Sequence, residues 1–209
     1  MFKNRLEAGE KLAQKLKIEL PEEVFKSAIY LMIPKGGIVV GSEIKKLLGI
    51  KLDYLITKKI PAPGNEEIVI GAVAEGGVVV WEEDVCKRLG VPLEYRQEIV
   101  KVKVNELERK EDFFRENKPL PDIKDKTIVI VDDGVATGST IKAAIDVVRS
   151  FSPKEVIVAV PIIAREVLGE IKQKADKVIF LETPELFLSL SQFYQDFRVW
   201  TDEEIKKIL

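Results

Sequence analysis

From Ser27 onward the chain alternates two kinds of apolar pattern. Ser27 to Ile33 is a short apolar run that stops at Pro34. Such a run predicts a strand covered on both faces. Ile38 to Leu48 then has apolar residues at helical spacing and ends at Gly49, which predicts a helix with a glycine stop. Leu52 to Thr57 predicts a second strand. Lys58 to Glu67 contains Pro61, Pro63 and Gly64, and that punctuation predicts a loop. Ile68 to Val73 and Val78 to Trp81 flank Glu75-Gly76-Gly77, the pattern of a hairpin. Further on, Thr127 to Val131, Glu155 to Val160 and Lys177 to Leu181 predict strands. Helical segments at Ser139 to Ser150 and Arg165 to Lys174 separate them. This rhythm predicts an α/β fold, a Rossmann-like parallel sheet flanked by helices and joined by right-handed crossovers. Ligands of such sheets bind beyond the carboxyl ends of the strands.

Two stretches depart from the rhythm. Met1 to Leu16 is a charged, amphipathic helix by pattern. Glu82 to Asn117 is charge-rich and helical, broken near Gly90-Val91-Pro92, with Tyr95 to Phe114 as one long amphipathic helix. Pro119 and Pro121 end it. The stretch at about 82–118 reads as an insertion within one domain spanning 1–209. Its apolar stripe fits a helix covering the core and a homodimer contact equally well. No internal repeat or low-complexity tract interrupts the chain.

Composition narrows the function. The 209 residues are 46% apolar and 33% charged, which suits a well-solvated domain with a sizeable core. A net charge of −2 argues against broad, charge-driven nucleic-acid binding. No run is long enough for a membrane span, and Met1 to Leu16 is not a signal sequence, so a cytoplasmic protein is expected. The lone cysteine, Cys86, forms no internal disulfide. With no histidine there is no Cys/His zinc set and no Ser-His or Cys-His nucleophile. Heavy use of Lys and Glu with few Gln, Asn, Cys and Met fits a heat-adapted source.

The candidate chemistry lies at Ile128-Val129-Ile130-Val131-Asp132-Asp133-Gly134-Val135-Ala136-Thr137-Gly138-Ser139-Thr140. A buried strand ends in two acids, a glycine- and hydroxyl-rich loop follows, and a helix begins. The helix start offers unpaired N–H groups and a positive dipole end. Gly138 lets the backbone approach an anion, and Thr137, Ser139 and Thr140 add hydroxyls, which together make a phosphate cradle. Asp132 and Asp133 beside it can accept hydrogen bonds from two vicinal hydroxyls. The competing reading makes Ser139 or Thr140 plain helix caps and the two acids solvated strand-end residues. Two adjacent acids after a buried strand repel and lose hydration, which disfavours it. A phosphorylated sugar with a free diol fits both halves.

This segment resembles the 5-phosphoribosyl 1-pyrophosphate (PRPP) signature of type I phosphoribosyltransferases. The likeness is complete over about thirteen residues. Ile33-Pro34-Lys35-Gly36-Gly37 resembles the family's pyrophosphate loop. Lys58 to Asn65 with Gly71 to Gly77 resembles its flexible hairpin loop, which closes over the reacting centre. With Phe2-x-x-Arg5, Ala8-Gly9, Phe187 and Phe193-Tyr194-x-x-Phe197, the pattern is similar over nearly the whole chain to a group of predicted bacterial and archaeal phosphoribosyltransferases. The resemblance implies that the segment from Asp132 to Thr140 binds PRPP. It implies that Lys35, Gly36 and Gly37 hold pyrophosphate and that Lys58 or Lys59 approaches it on closure. Magnesium is expected, held mainly through PRPP and water. The partners expected are PRPP and a nucleobase acceptor, with neither nucleic acid nor membrane. A small C-terminal hood is expected to supply acceptor contacts from Glu182, Thr183, and Phe187 or Tyr194.

One position departs informatively. Relatives acting on 6-oxopurines commonly carry Asp directly before the Thr-Gly, where this chain has Ala136. A hypoxanthine-guanine activity is therefore disfavoured. Two other classes compete. A regulator that keeps the PRPP site without catalysis would want a basic face if it bound nucleic acid, and no Lys/Arg cluster of five occurs. A PRPP synthase would need a separate ATP site, and 209 residues with one signature is short for it; the Walker A pattern is absent, so a nucleotide-triphosphate reading of the loop has no support.

Overall fold

The apolar runs become the strands of a parallel sheet covered on both sides, in a computed structural model that describes residues 1–115 and 120–208. The chain begins with α1 (Arg5–Glu19) and α2 (Glu22–Ser27), then β1 (Ile29–Met32), α3 (Gly36–Leu48) and β2 (Leu52–Tyr54). A second sheet follows, made of β3 (Thr57–Ala62), β4 (Asn65–Ala74) and β5 (Val78–Trp81), with a 3-10 turn at Glu75–Gly77. Helices α4 (Glu83–Arg88) and α5 (Leu93–Arg115) lead back to β6 (Thr127–Val131), α6 (Ser139–Ser150), β7 (Glu155–Ile162), α7 (Arg165–Lys174) and β8 (Lys177–Glu182). A 3-10 turn at Leu190–Phe193 and α8 (Asp202–Ile208) close the chain.

The main sheet has the order β2-β1-β6-β7-β8, and every pairing in it is parallel. Alternate residues of a strand face opposite sides. Tyr30, Met32, Val129, Val131, Ile157 and Ala159 pack toward α1 and α3, in one core. Leu31, Ile128, Ile130, Val156, Val158 and Val160 pack toward α6 and α7, in another. Hence β6 reads as an unbroken apolar run, and Ile128 to Val131 are fully buried. The strand order sets β1 beside β6, which brings two distant loops to one sheet edge.

The expected loop at Lys58–Glu67 is instead two paired strands. Its β3 and β4 run antiparallel, with Lys58 opposite Val73 and Lys59 opposite Ala72. The prolines are tolerated for physical reasons. The second sheet has the order β3-β4-β5, so β3 is an edge strand, where a residue without an N–H does least harm. The ladder is irregular around Pro61, and Gly64 takes φ 72 in the turn. Smaller corrections concern boundaries. Ser27 ends α2, and the expected strand Leu52–Thr57 is divided, with β2 ending at Tyr54 and Thr57 opening β3. The N-terminal helix starts at Arg5, capped by the Asn4 side chain accepting from the Glu7 N–H at 3.0 Å.

The helical stretch breaks near Gly90–Pro92, as expected, and α5 lies over the second sheet. Leu107 is buried, the Tyr95 hydroxyl donates to the Pro61 carbonyl at 2.9 Å, and Phe114 meets Tyr54 edge-on at 5.9 Å. Asn117 and Pro119 fall outside the described residues. The expected C-terminal hood is built from both chain ends. Phe2 bridges Tyr194, the Phe2 N–H donates to the Phe193 carbonyl at 2.8 Å, and Gln195 N–H donates to the Phe2 carbonyl at 2.8 Å.

Candidate active site

At the carboxyl end of β6 the chain turns from strand to helix in seven residues. Val135 is pinned to the neighbouring strand end, its N–H donating to the Ile162 carbonyl at 2.8 Å. Gly138 caps α6 at φ 74, a left-handed conformation that side chains rarely accept. The first turn of α6 therefore aims its free N–H groups outward. Thr137 and Ser139 place their hydroxyls 3.0 Å apart at this opening, and Thr140 is half-buried beside them. These are the parts of an anion cradle.

The acid pair sits behind it. Asp132 and Asp133 are both buried. Asp132 Oδ1 accepts from the Asp133 N–H at 2.8 Å, and Asp133 Oδ2 accepts from Arg5 Nε at 2.6 Å. Burial holds the Asp132 carboxyl well above the usual carboxylate range, and the neighbouring Asp133 charge adds to the shift. Asp132 Oδ2 and Asp133 Oδ1 are not engaged in these bonds.

The loop after β1 packs directly onto these acids. A Cβ on Gly36 would lie 2.1 Å from Asp133 Oδ2, and one on Gly37 would lie 2.4 Å from the Val131 carbonyl oxygen. Both positions therefore exclude any side chain. The two motifs, separated by about a hundred residues in sequence, are one surface in space. Lys35 stands at its edge, with Nζ 2.9 Å from Asp202 Oδ1 and donating to the Trp200 carbonyl at 3.3 Å.

The two lysines of β3 separate. Lys59 Nζ donates to Ser139 Oγ at 2.5 Å, so it joins the cradle, not the Lys35 loop. Burial lowers its ammonium pKa, opposed by the Asp132 charge. Lys58 points the other way, pairing with Glu106 of α5 at 2.9 Å. A strand puts neighbours on opposite faces, so reading this segment as a loop concealed which lysine faces the cradle. A cleft of about 860 Å³ opens from Lys59, Thr137 and Ser139 along α6. Ion pairs border it, Lys142 with Glu170 and Lys174 with Asp146, each at 2.7 Å.

The expected acceptor residues are dispersed. Thr183 has a buried hydroxyl with no hydrogen-bond partner, next to exposed Glu182, whose Oε1 is 3.7 Å from the chain's N-terminal amine. Phe187 packs on Phe193 at 5.1 Å. Tyr194 is buried and donates its hydroxyl to the Asp133 carbonyl at 2.6 Å, which makes it a support beneath the acid pair. The residue unassigned from sequence is Arg5. It lies 128 positions from the acid it contacts, and no local pattern links the two.

A parallel sheet with the parts of an anion cradle and an acid pair at its central strand end defines an α/β protein, and ligands of such sheets bind beyond the carboxyl ends of the strands. Residues 42–198 match the phosphoribosyl transferase domain family, and the chain belongs to that family. Two relatives from strains of Mycobacterium tuberculosis, each bearing the name "Putative phosphoribosyl transferase", are 34% identical over 209 residues. The match covers 100% of this chain and 46% of theirs, so the chain spans about half the length of these curated relatives. Among solved structures, TT1426 from Thermus thermophilus has a TM-score of 0.88 and 34% identity, over 99% of this chain and 96% of that one. AQ2163 from Aquifex aeolicus shares the fold, with a TM-score of 0.52 and 18% identity over 86% and 73% of the two chains. Among the described residues no helix is long and apolar enough to cross a membrane.

Proposed function

We propose that this chain binds PRPP with magnesium and transfers its phosphoribosyl group to a ring nitrogen of a nucleobase, releasing pyrophosphate. The observation that carries the reading is the packing of the glycines at 36 and 37 on Val131, Asp132 and Asp133, where an added methyl would collide, with the cradle following the acid pair directly in the chain. A ligand with a phosphate, a vicinal diol and a second anionic group matches that order of parts.

In this reading the 5-phosphate lies on the N–H groups and hydroxyls from Ala136 to Thr140, with Lys59 beside Ser139. Asp132 and Asp133 take the ribose hydroxyls. The Gly36 amide, and the ammonium of Lys35 once it leaves Asp202, are assigned to the pyrophosphate; the Gly37 N–H already donates to the Ile33 carbonyl at 3.0 Å, so Gly37 contributes close packing and not a free donor. The acceptor nitrogen attacks the anomeric carbon, the carbon–oxygen bond to pyrophosphate breaks, and pyrophosphate leaves with the electron pair. The acceptor then loses its proton. Positioning and charge stabilisation supply most of the acceleration.

Among the described residues no group of three or more acidic, Cys or His side chains could hold a metal. Two carboxylates beside a phosphate site suit magnesium, which keeps its waters and takes one or two carboxylates plus substrate phosphates. It would neutralise charge on the departing pyrophosphate. Glu182, Thr183 and Phe187 are assigned to the acceptor side; the buried, unpartnered Thr183 hydroxyl would read an acceptor's polar edge only if its surroundings open.

Calorimetry with PRPP and magnesium tests the core of this. Asp132→Asn with Asp133→Asn should weaken binding about 100-fold or more, since each charge-assisted hydrogen bond contributes about 1.5–3 kcal/mol. The same affinity in the double variant and the parent would rule out the acid pair as the ribose site. A screen of nucleobases for pyrophosphate release then identifies the acceptor.

A further inference from the structure

We propose that Arg5 is a positioning residue for the ribose-binding carboxylates, orienting Asp133 from the opposite end of the chain; this rests on the PRPP reading above. The guanidinium makes three different contacts. Its Nε donates to Asp133 Oδ2 at 2.6 Å. Its Nη1 donates to the Arg198 carbonyl at 2.9 Å. Its flat face lies over the Phe197 ring, 3.8 Å from the centroid. The side chains of Arg5 and Asp133 are 11% and 12% exposed, so water does little to screen the pair.

A planar donor held at three points has one orientation, and it passes that orientation to the carboxylate it binds. Asp133 Oδ2 is fixed toward Arg5, and the carboxylate is laid against Gly36, where an added Cβ would be 2.1 Å from Oδ2 and 2.7 Å from Oδ1. The Tyr194 hydroxyl grips the main-chain carbonyl of the same residue at 2.6 Å. Asp133 is thus clamped at side chain and backbone by residues from both chain ends. Arg5 sets its guanidinium against the member of the acid pair that packs on Gly36.

A purely stabilising role explains this poorly. A buried ion pair is weak as a source of stability, because desolvation offsets most of the attraction. An apolar pair would fill the space at no such cost. What the arginine adds is a defined carboxylate plane at the point where a sugar edge must be matched.

Arg5→Gln and Arg5→Lys test this by calorimetry against three probes in magnesium: PRPP, ribose 5-phosphate and pyrophosphate. Arg5→Gln should weaken PRPP and ribose 5-phosphate by about tenfold or more, with pyrophosphate within about twofold. Arg5→Lys should recover part of the loss, because it keeps the charge but cannot serve Asp133 and the Arg198 carbonyl together. Should Arg5→Gln prove too unstable to purify, Arg5→Lys carries the same split between ribose 5-phosphate and pyrophosphate. Ribose 5-phosphate affinity equal to the parent's in both variants overturns the proposal. So does an equal loss for all three probes, which reports general damage. A parent protein that ignores both PRPP and ribose 5-phosphate overturns the functional reading itself, and with it the role of Arg5.

Discussion

The two sheets of this protein solve different problems. In the parallel sheet, β6 is buried on both faces, and its chemistry sits in the loop at its end. In the antiparallel sheet, β3 is an edge strand whose chemistry sits on one face, Lys59 turned to the cradle and Lys58 turned to α5. The first arrangement fixes a site through backbone packing. The second delivers a single side chain across a gap. The parallel end should therefore tolerate almost no added volume, whereas the exposed β3–β4 turn should tolerate it; the hairpin's packed positions should not, since Ile60, Ile70 and Val73 are buried and a Cβ on Gly71 would lie 2.5 Å from the Val80 carbonyl oxygen.

The largest effect expected is at Gly37. A Cβ there would meet the Val131 carbonyl oxygen at 2.4 Å and Asp132 Cα at 3.0 Å, backbone atoms at the end of the central strand and just beyond it. Gly37→Ala should cost about 2–3 kcal/mol by overpacking and lower Tm by roughly 4–12 °C. PRPP binding should be lost with it, because the displaced atoms carry the acid pair. Gly64→Ala is the counterpart in the β3–β4 turn. Nothing lies within 4 Å of a Cβ there, so the cost is the left-handed backbone alone, about 1–2 kcal/mol. Thermal melts in which Gly64→Ala is the more damaging would break the comparison.

The contrast also explains what the sequence made legible. Continuous apolar runs such as Ile128 to Val131 announce a strand covered on both sides, and the acids and glycines after β6 and β1 can be placed from order alone. In the second sheet the β4–β5 hairpin was legible, but β3 was hidden because Pro61, Pro63 and Gly64 are loop residues by composition, and only its edge position makes prolines tolerable in it. Without the strand there was no alternation to separate Lys58 from Lys59. The hood was half visible. Its aromatic residues stand out near the C-terminus, but their partner is Phe2, almost two hundred residues away. Tyr194 gave no sign that its hydroxyl would be spent on Asp133.

The next effect in size separates the two lysines. Lys59→Ala removes the cation at Ser139, and a charge-assisted hydrogen bond to phosphate contributes about 1.5–3 kcal/mol. Under the proposed reaction, kcat/KM should fall by about 10- to 100-fold. Lys58→Ala loses a partly exposed pair with Glu106, which contributes little, and kcat/KM should stay within about threefold. Steady-state assays showing equal losses would mean that β3 presents both faces to ligand and that its alternation is functionally irrelevant.

The smallest effect is one of slope, and it sets the two regions in opposition. Asp132 has an ordinary value of 3.8 and is raised in the folded protein, chiefly by burial. As pH climbs past 3.8 the unfolded chain releases this proton while the folded chain keeps it. Stability therefore falls with rising pH until the folded value is passed. Lys59 is shifted downward from 10.5, also chiefly by burial. The folded protein loses that proton first, so its contribution makes stability rise as pH approaches 10.5. Asp132→Asn removes the first slope and keeps an oxygen for the Asp133 N–H. Its melting temperature relative to the parent should increase between pH 4.5 and 7.5. Lys59→Met should show no such trend in that range and should instead lose ground to the parent as pH nears 10. An Asp132→Asn difference that is flat with pH, or that shrinks, would mean that the acid is held ionised in the free protein, and that the cost of burying two adjacent carboxylates is met by something other than a retained proton.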